Sequence, residues 1–516
     1  MLASVLVRAL AFVPLLAVAC GRDAALPGAP VPASVRVAGR PVLALSAGDV
    51  TGDRAIVWAR TDGYAALHVV VDGGGRSFTG TSWAVAGHDY AAKVRFTGLS
   101  PGGTFSYVAW FSADEHAGDP PPDAARGTFH TAPASDRPVP VTFGWSGDLG
   151  GLNVCRDAKE GFPIFETLTG RDLDFFIGLG DMIYGDQPCE ARGLYGQNEQ
   201  IPMSVREAPT LRAFWEHWKY NQGDAGFVRF LRSTSYYAVW DDHEVVNDFS
   251  PTDAWHRFPP YTIGADLVPL GRQALFDMNP IAEETTARQY RSYRWGKHLE
   301  LVILDTRSYR SEDSRPDTEE HPKTMLGAEQ RAWFERVVAG SDATWKVVVS
   351  SVPISIPTGR GGSAGRDGWA NYDTPAGYER ELRGIFSAFR DAHVKNLLFI
   401  TTDVHFATAF RYRPFEDDFL VYEVTAGPLN AMLLPTHAED DTFHPERLFF
   451  FGPPRPPTTF DEAKGFMNWA KVTLSATGSL GVGILSALGT EVARLDVDPG
   501  AATSTSSGAE APGSSR

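Results

Sequence analysis

Four short apolar runs each end in an acidic group, or in an acid and a histidine together. Asp148 follows VTFGWSG, Asp181 follows FFIGLG, Asp241, Asp242 and His243 follow YYAVW, and Asp403 and His405 follow LLFITT. Runs of this length and composition read as buried strands. Polar residues just past strand ends collect at the carboxyl edge of an α/β sheet, where such folds place their sites. Four or five carboxylates gathered there repel one another unless cations sit among them. The chemistry implied is that of a metal-dependent hydrolase.

Each cluster also has a bland reading, and the spacing argues against it. In GDMIYGD, Asp181 and Tyr184 stand three apart after a strand, so one turn can aim a carboxylate and a phenol at the same place. A phenolate suits a ferric ion, and carboxylate oxygens suit calcium, magnesium or manganese. In WDDHEVVND, Asp242 is the expected ligand and His243 the expected proton donor, with Asp241 and Glu244 hydrogen-bonding around them. Asp403 and His405, two apart in an extended run, would point the same way and present two ligands from one strand end. Arg307 in LDTRSYR is a candidate for a phosphate oxygen, or for holding a carboxylate loop, and Arg156 and Asn247 are further substrate-binding candidates. Trp215, Trp218 and Trp240 read as packing residues.

These residues must be positioned by a chain of 516 residues, long enough for two or three domains. A net charge of −16 provides no basic stripe, so no nucleic-acid-binding domain is expected, and any phosphate recognition is local. Residues 1–20 read as a signal peptide ending in Ala17-Val18-Ala19-Cys20, which resembles a lipobox with Cys20 as the lipidation site. Lipoprotein and plain secreted protein both stay open, and any membrane contact is through that anchor. The expected location is therefore outside the cytoplasm: periplasmic, extracellular or membrane-anchored. Of three cysteines, Cys155 and Cys189 then remain as an even pair in an oxidising compartment. They are expected to form a disulfide tying the loops after Asp148 and Asp181; two free thiols or a cysteine-ligated metal are the alternatives.

Residues 21–38 read as a tether, 39–133 as a β-sandwich of short alternating strands, and 137–498 as an α/β layer. Residues 499–516 read as a disordered Gly, Ala and Ser tail. Asp49 and Asp53 look like turn formers. Residues 420–435 and 472–497 are expected to finish the sheet edges, and nothing repeats internally. No nucleophile elbow, P-loop or zinc-protease helix motif is present in the sequence.

Taken in order, SAGDVTGDRAIVWART, GDMIYGD, WDDHEVVND, LDTRSYR, LGAEQRAWF, the Ser341-Ala343-Trp345-Lys346 and Trp369-Tyr372-Arg380 stretches and TDVHF resemble the alkaline phosphatase D (PhoD-like) metallophosphatases. The resemblance runs over nearly the whole chain after the leader. It implies an Fn3-like β-sandwich followed by a four-layer αββα metallophosphatase core. It also implies hydrolysis of phosphomonoesters, with diesters in many members, using Fe3+ and Ca2+ or other divalent metals. By this resemblance Asp181 would bridge the metals, Tyr184 would bind iron, and Asp242, Asp403 and His405 would be metal ligands. The family's Ser-Cys pair is replaced here by Ser146-Gly147-Asp148, so Asp148 resembles the Asp-x-Gly ligand of the wider class.

The expected reaction is in-line attack on phosphorus by a metal-bound hydroxide, with a phosphoester substrate and a monomeric enzyme. A phospholipase D-like phosphodiesterase is the rival enzyme reading. An inactive cell-surface binding protein is the rival from another class.

Overall fold

Alternation along the strands decides the layering. Phe175, Ile177 and Leu179 point to one face with Val347, Val349, Leu398 and Ile400, filling the space between two sheets. Phe176 points the other way, onto helices carrying Phe165, Trp218 and Phe230. Val348, Leu397 and Phe399 point outward onto Phe334, Leu382 and Phe386. Each sheet is thus apolar on both faces, as parallel strands covered on both sides must be. The result is four layers: helices, sheet, sheet, helices.

The structure, a computed structural model, describes residues 39–116, 118–200, 210–251, 264–282, 288–359, 365–370, 377–435 and 438–500. The expected leader, the tether, Cys20 and residues 501–516 of the tail lie outside the described residues. The described residues form one compact unit.

One sheet has nine strands, and its centre is the parallel trio Val141–Ser146, Phe175–Leu179 and Ser235–Val239. The other has seven, with Leu299–Ile303, Trp345–Val349, Leu397–Thr401 and Val421–Thr425 parallel in succession. Asn468–Leu474, Leu480–Ser486 and Glu491–Val497 finish the edge of the nine-stranded sheet, as their position in the chain suggests. Val421–Thr425 does not finish an edge. It pairs inside, between Leu397–Thr401 and Ala407–Tyr412, because the intervening strand Ala407–Tyr412 folds back outside it.

Helices Leu211–Gln222 and Ala225–Ser233 break at Gly223. Thr210 caps the first by accepting from Ala213 N–H, and Asp224 caps the second by accepting from Phe227 N–H.

The N-terminal strands make a four-stranded sheet, Ala65–Gly73 with its neighbours, packed on Ala44–Gly48, Arg54–Arg60 and Ala91–Thr97 through Leu67, Val69, Phe105 and Phe129. The second of these layers is also the end of the nine-stranded sheet, since Ala47 and Gly48 pair in parallel with Ser235 and Tyr236. The β-rich block and the α/β core therefore share a sheet, which leaves no open edge between them.

Asp49 secures this junction as well as turning the chain. Its carboxylate accepts from Ala282 N–H and Tyr293 O–H, each at 2.8 Å, and lies 3.3 Å from buried Arg291. Asp49→Ala would leave that guanidinium uncompensated, and is expected to cost about 3 kcal/mol in denaturant unfolding.

Candidate metal centre

Every acidic ligand candidate named above lies at the carboxyl end of a parallel strand, and the two packed sheets bring those ends together. The chain turns sharply there. Asp148, Asp181, Asp403 and His405 adopt positive φ of 61°, 52°, 79° and 59°, a region costly for residues other than glycine and characteristic of functional loops. Gly180 between strand and ligand has φ of 79°, and a Cβ there would sit 2.5 Å from the Asp241 Cβ. Only glycine lets the Asp181 and Asp241 loops approach this closely.

Three ligand groups follow. Asp181, Asp241 and Asp403 offer atoms within 4.8 Å of one another; so do Asp181, Asp242 and His243, and so do Asp242, Asp248 and Asp367. Asp181 belongs to the first two. Beside them, Tyr184 Oη lies 3.1 Å from His405 Nε2 and 3.5 Å from Asp148 Oδ1, and His405 Nε2 lies 3.4 Å from Asp148 Oδ1.

Asp403 and His405 therefore do not act from one extended run. Their left-handed backbones send Asp403 to Asp181 and His405 to Tyr184 and Asp148.

The loops are pinned by hydrogen bonds, including those expected of Glu244. Glu244 accepts from the backbone N–H of Asp181 (3.0 Å), Met182 (2.7 Å) and Asp241 (2.8 Å), tying two ligand loops to one carboxylate. Asp186 pairs with His243 Nδ1 at 2.7 Å and accepts from Asn247 N–H at 3.0 Å. Thr402 Oγ1 donates to Asp148 Oδ2 at 2.6 Å.

Burial raises the Asp181 and Asp403 carboxyls well above their ordinary 3.8, and facing carboxylates add to it: Asp242 and Asp241 at Asp181, Asp241 and Asp367 at Asp403. Burial also pushes Glu244 up to about 7, and pushes the Tyr184 phenol up with Asp148 and Asp181 beside it. At His243 burial works against the charge, but Asp186 and Asp242 outweigh it and hold the imidazolium up to about 10.

A cation fits this site. Buried Asp241 Oδ2, Asp242 Oδ1 and Asp403 Oδ2 have no hydrogen-bond partner, Asp242 Oδ1 lying 3.8 Å from Arg307, and a buried carboxylate oxygen without a hydrogen bond is costly unless it coordinates a metal. Asp241, expected to hydrogen-bond around the ligands, is a member of a ligand group itself.

The substrate-binding expectations fare differently. Arg307 is wholly buried and engaged by Asp241 and Asp367, so of its two expected roles it takes the holding of carboxylate loops, and its guanidinium is not open to a phosphate. Arg156 donates to Glu199 at 2.7 Å and to the Tyr220 carbonyl at 2.5 Å, which binds it into loop packing instead. Asn247 is half-buried on the His243 loop.

Cys155 and Cys189 form a disulfide with Cα atoms 5.9 Å apart, joining the loops that follow Asp148 and Asp181. Neither sulfur is left for a metal. Trp240 donates to Asp305 Oδ1 at 3.0 Å and Trp215 to Asp277, and with Trp218 they are buried packing residues.

Asp186, Asp248 and Asp367 were not singled out by sequence. Asp186 closes GDMIYGD and was open to notice. Asp367 follows no strand, so nothing local marks it.

Two mixed sheets with an acidic, tyrosine- and histidine-bearing centre at the carboxyl ends of their parallel strands define a metallophosphatase-like protein. The model described as PhoD-like phosphatase matches residues 151–460, and the chain belongs to that family. Alkaline phosphatase D of Bacillus subtilis (strain 168) is 25% identical over 308 residues, 54% of this chain and 48% of that protein. The match thus spans about half the length of this curated relative. Among solved structures, PhoD shares the fold with a TM-score of 0.67 at 18% identity, over 86% of this chain and 85% of that one. Purple acid phosphatase PPD1 from yellow lupin (Lupinus luteus) seeds superposes with a TM-score of 0.56 at 12% identity, over 89% and 74%. Asp148 lies just before the matched segment.

Asp181→Asn should lower bound metal in elemental analysis while leaving the circular dichroism spectrum unchanged, because two ligand groups share that carboxylate. Metal-free protein should also lose stability as pH rises. Carboxyls raised in the folded state stabilise it fully below the ordinary 3.8 and progressively less above it. Melting temperature measured with a chelator should therefore fall as pH rises above about 4, and added metal should reverse the fall.

Proposed function

We propose that the protein is an exported, metal-dependent phosphoester hydrolase. One observation carries the reading: Asp181 is grouped with Asp241 and Asp403 and also with Asp242, and three buried oxygens on those neighbours have no hydrogen-bond partner. Asp148, Tyr184 and His405 are a donor set suited to Fe3+, and the all-carboxylate group of Asp181, Asp241 and Asp403 suits Ca2+. Bound metals would lower the pKa of a water and offset the charge of an in-line displacement at phosphorus.

The chain's own residues supply the rest. With Nδ1 engaged by Asp186, His243 has Nε2 left to donate a proton to the departing alkoxide. Asp186 fixes the ring, and Tyr184, stacked on it at 4.1 Å, limits its rotation. Asn247, on the same loop, is the remaining candidate for a substrate contact.

Export is supported by the apolar leader ending at Cys20 and by the Cys155–Cys189 disulfide, which suits an oxidising compartment. Residues 39–133 would be an Fn3-like sandwich domain and 137–498 the catalytic domain.

The test is hydrolysis of p-nitrophenyl phosphate and its bis-ester, with and without calcium, paired with elemental analysis. Iron plus calcium with turnover of either ester supports the reading, and the ratio of the two rates separates phosphatase from phosphodiesterase. Metal without turnover of any phosphoester would favour a binding protein. His243→Ala should lower kcat roughly 100-fold for an alkyl ester and far less for the nitrophenyl ester, whose leaving group needs no proton. Equal losses on both would remove His243 from the acid role.

A further inference from the structure

Among the described residues, Arg307 is the one arginine or lysine threaded between members of different ligand groups. Its side chain is buried in full. Nε donates to Asp241 Oδ1 at 2.5 Å, and Nη1 and Nη2 take the two oxygens of Asp367, the latter at 2.7 Å. Asp241 belongs with Asp181 and Asp403, and Asp367 with Asp242 and Asp248. Ser351 Oγ donates to the same Asp241 Oδ1 at 2.6 Å. With that oxygen held twice, the carboxylate cannot rotate freely, and Oδ2 is the oxygen left without a partner. Arg310 grips Asp367 from the other side, with its guanidinium 5.3 Å from the ring centre of Tyr378.

We infer that Arg307 is a positioning residue. It does not touch substrate; its planar fork sets the directions of Asp241 and Asp367, and so the affinity of the centre for its metal. The inference rests on the metal-dependent reading above. An ammonium could not replace the fork, because a point charge cannot meet one carboxylate along Nε and another bidentately along Nη1 and Nη2. Outer groups that orient ligands typically alter metal affinity by about 10- to 100-fold.

The test uses full-length protein, calcium alone as the probe, and the variants Arg307→Lys and Ser351→Ala. Calcium half-saturation is read by calorimetry, and kcat and KM on p-nitrophenyl phosphate are read separately. Arg307→Lys should raise the calcium half-saturation by about tenfold or more. Its kcat should be low at limiting calcium and recover at excess calcium, with KM for the ester unchanged. Ser351→Ala, which removes one neutral hydrogen bond, should weaken calcium by about threefold to tenfold.

A raised KM with unchanged calcium affinity would mean that Arg307 meets the substrate, and would overturn the inference. A lower melting temperature with unchanged calcium half-saturation would reduce it to a structural residue, with the same consequence. If Arg307→Lys does not fold, Ser351→Ala decides: unchanged calcium affinity overturns the proposal and weakened affinity supports it. Wild-type protein that binds no metal overturns the functional reading and this inference with it. Normal wild-type binding that neither variant weakens overturns this inference alone.

Discussion

Repulsion among buried carboxylates is the constraint on which the rest of the structure depends. Asp148, Asp181, Asp241, Asp242 and Asp403 are all nearly or fully removed from water, apart from a partly accessible Asp403, and they face one another across the junction of two sheets. In a medium of low dielectric such a group cannot remain fully ionised without compensation. The structure offers compensation of three kinds. Backbone N–H groups serve Glu244 and Asp181, the guanidinium of Arg307 serves Asp241 and Asp367, and oxygens without a hydrogen-bond partner on Asp241, Asp242 and Asp403 are left for a cation.

The scaffold can be understood as the means of imposing that proximity. Two mixed sheets, each apolar on both faces, pack through Phe175, Ile177, Val347 and Leu398, so that the carboxyl ends of their parallel central strands emerge side by side. Rigid strands deliver the ligands, and residues at positive φ aim them. The backbone strain there is sustained by the surrounding ladders and by Glu244, which staples the Asp181 and Asp241 loops together. The Cys155–Cys189 bridge performs a similar service for the outer loops.

Much of this was legible beforehand. Acids placed directly after β-rich runs marked Asp148, Asp181, Asp242 and Asp403, because the pattern depends only on local periodicity and strand ends. The layered core, the β-rich N-terminal block and the packing role of Trp240 were legible for the same reason. Three things were not. Asp403 and His405 diverge because their backbones are left-handed, which no spacing of two residues reveals. Arg307 turned inward, since an arginine after a strand looks alike whether it meets phosphate or carboxylate. Asp367, in a loop far along the chain, carries no local signature at all.

The sequence by itself determined the kinds of donors, their attachment to strand ends and the alternation that makes each sheet apolar on both faces. All of these follow from side-chain chemistry and from the two-residue period of a strand. Tertiary structure alone decided which donors meet. Asp181 finds Glu244 across 63 positions, and Asp148 finds Thr402 across 254. It also decided that the N-terminal strands would extend the catalytic sheet. Pairings of that kind depend on how two sheets pack and twist against each other, and no local stretch of chain encodes the distance between them.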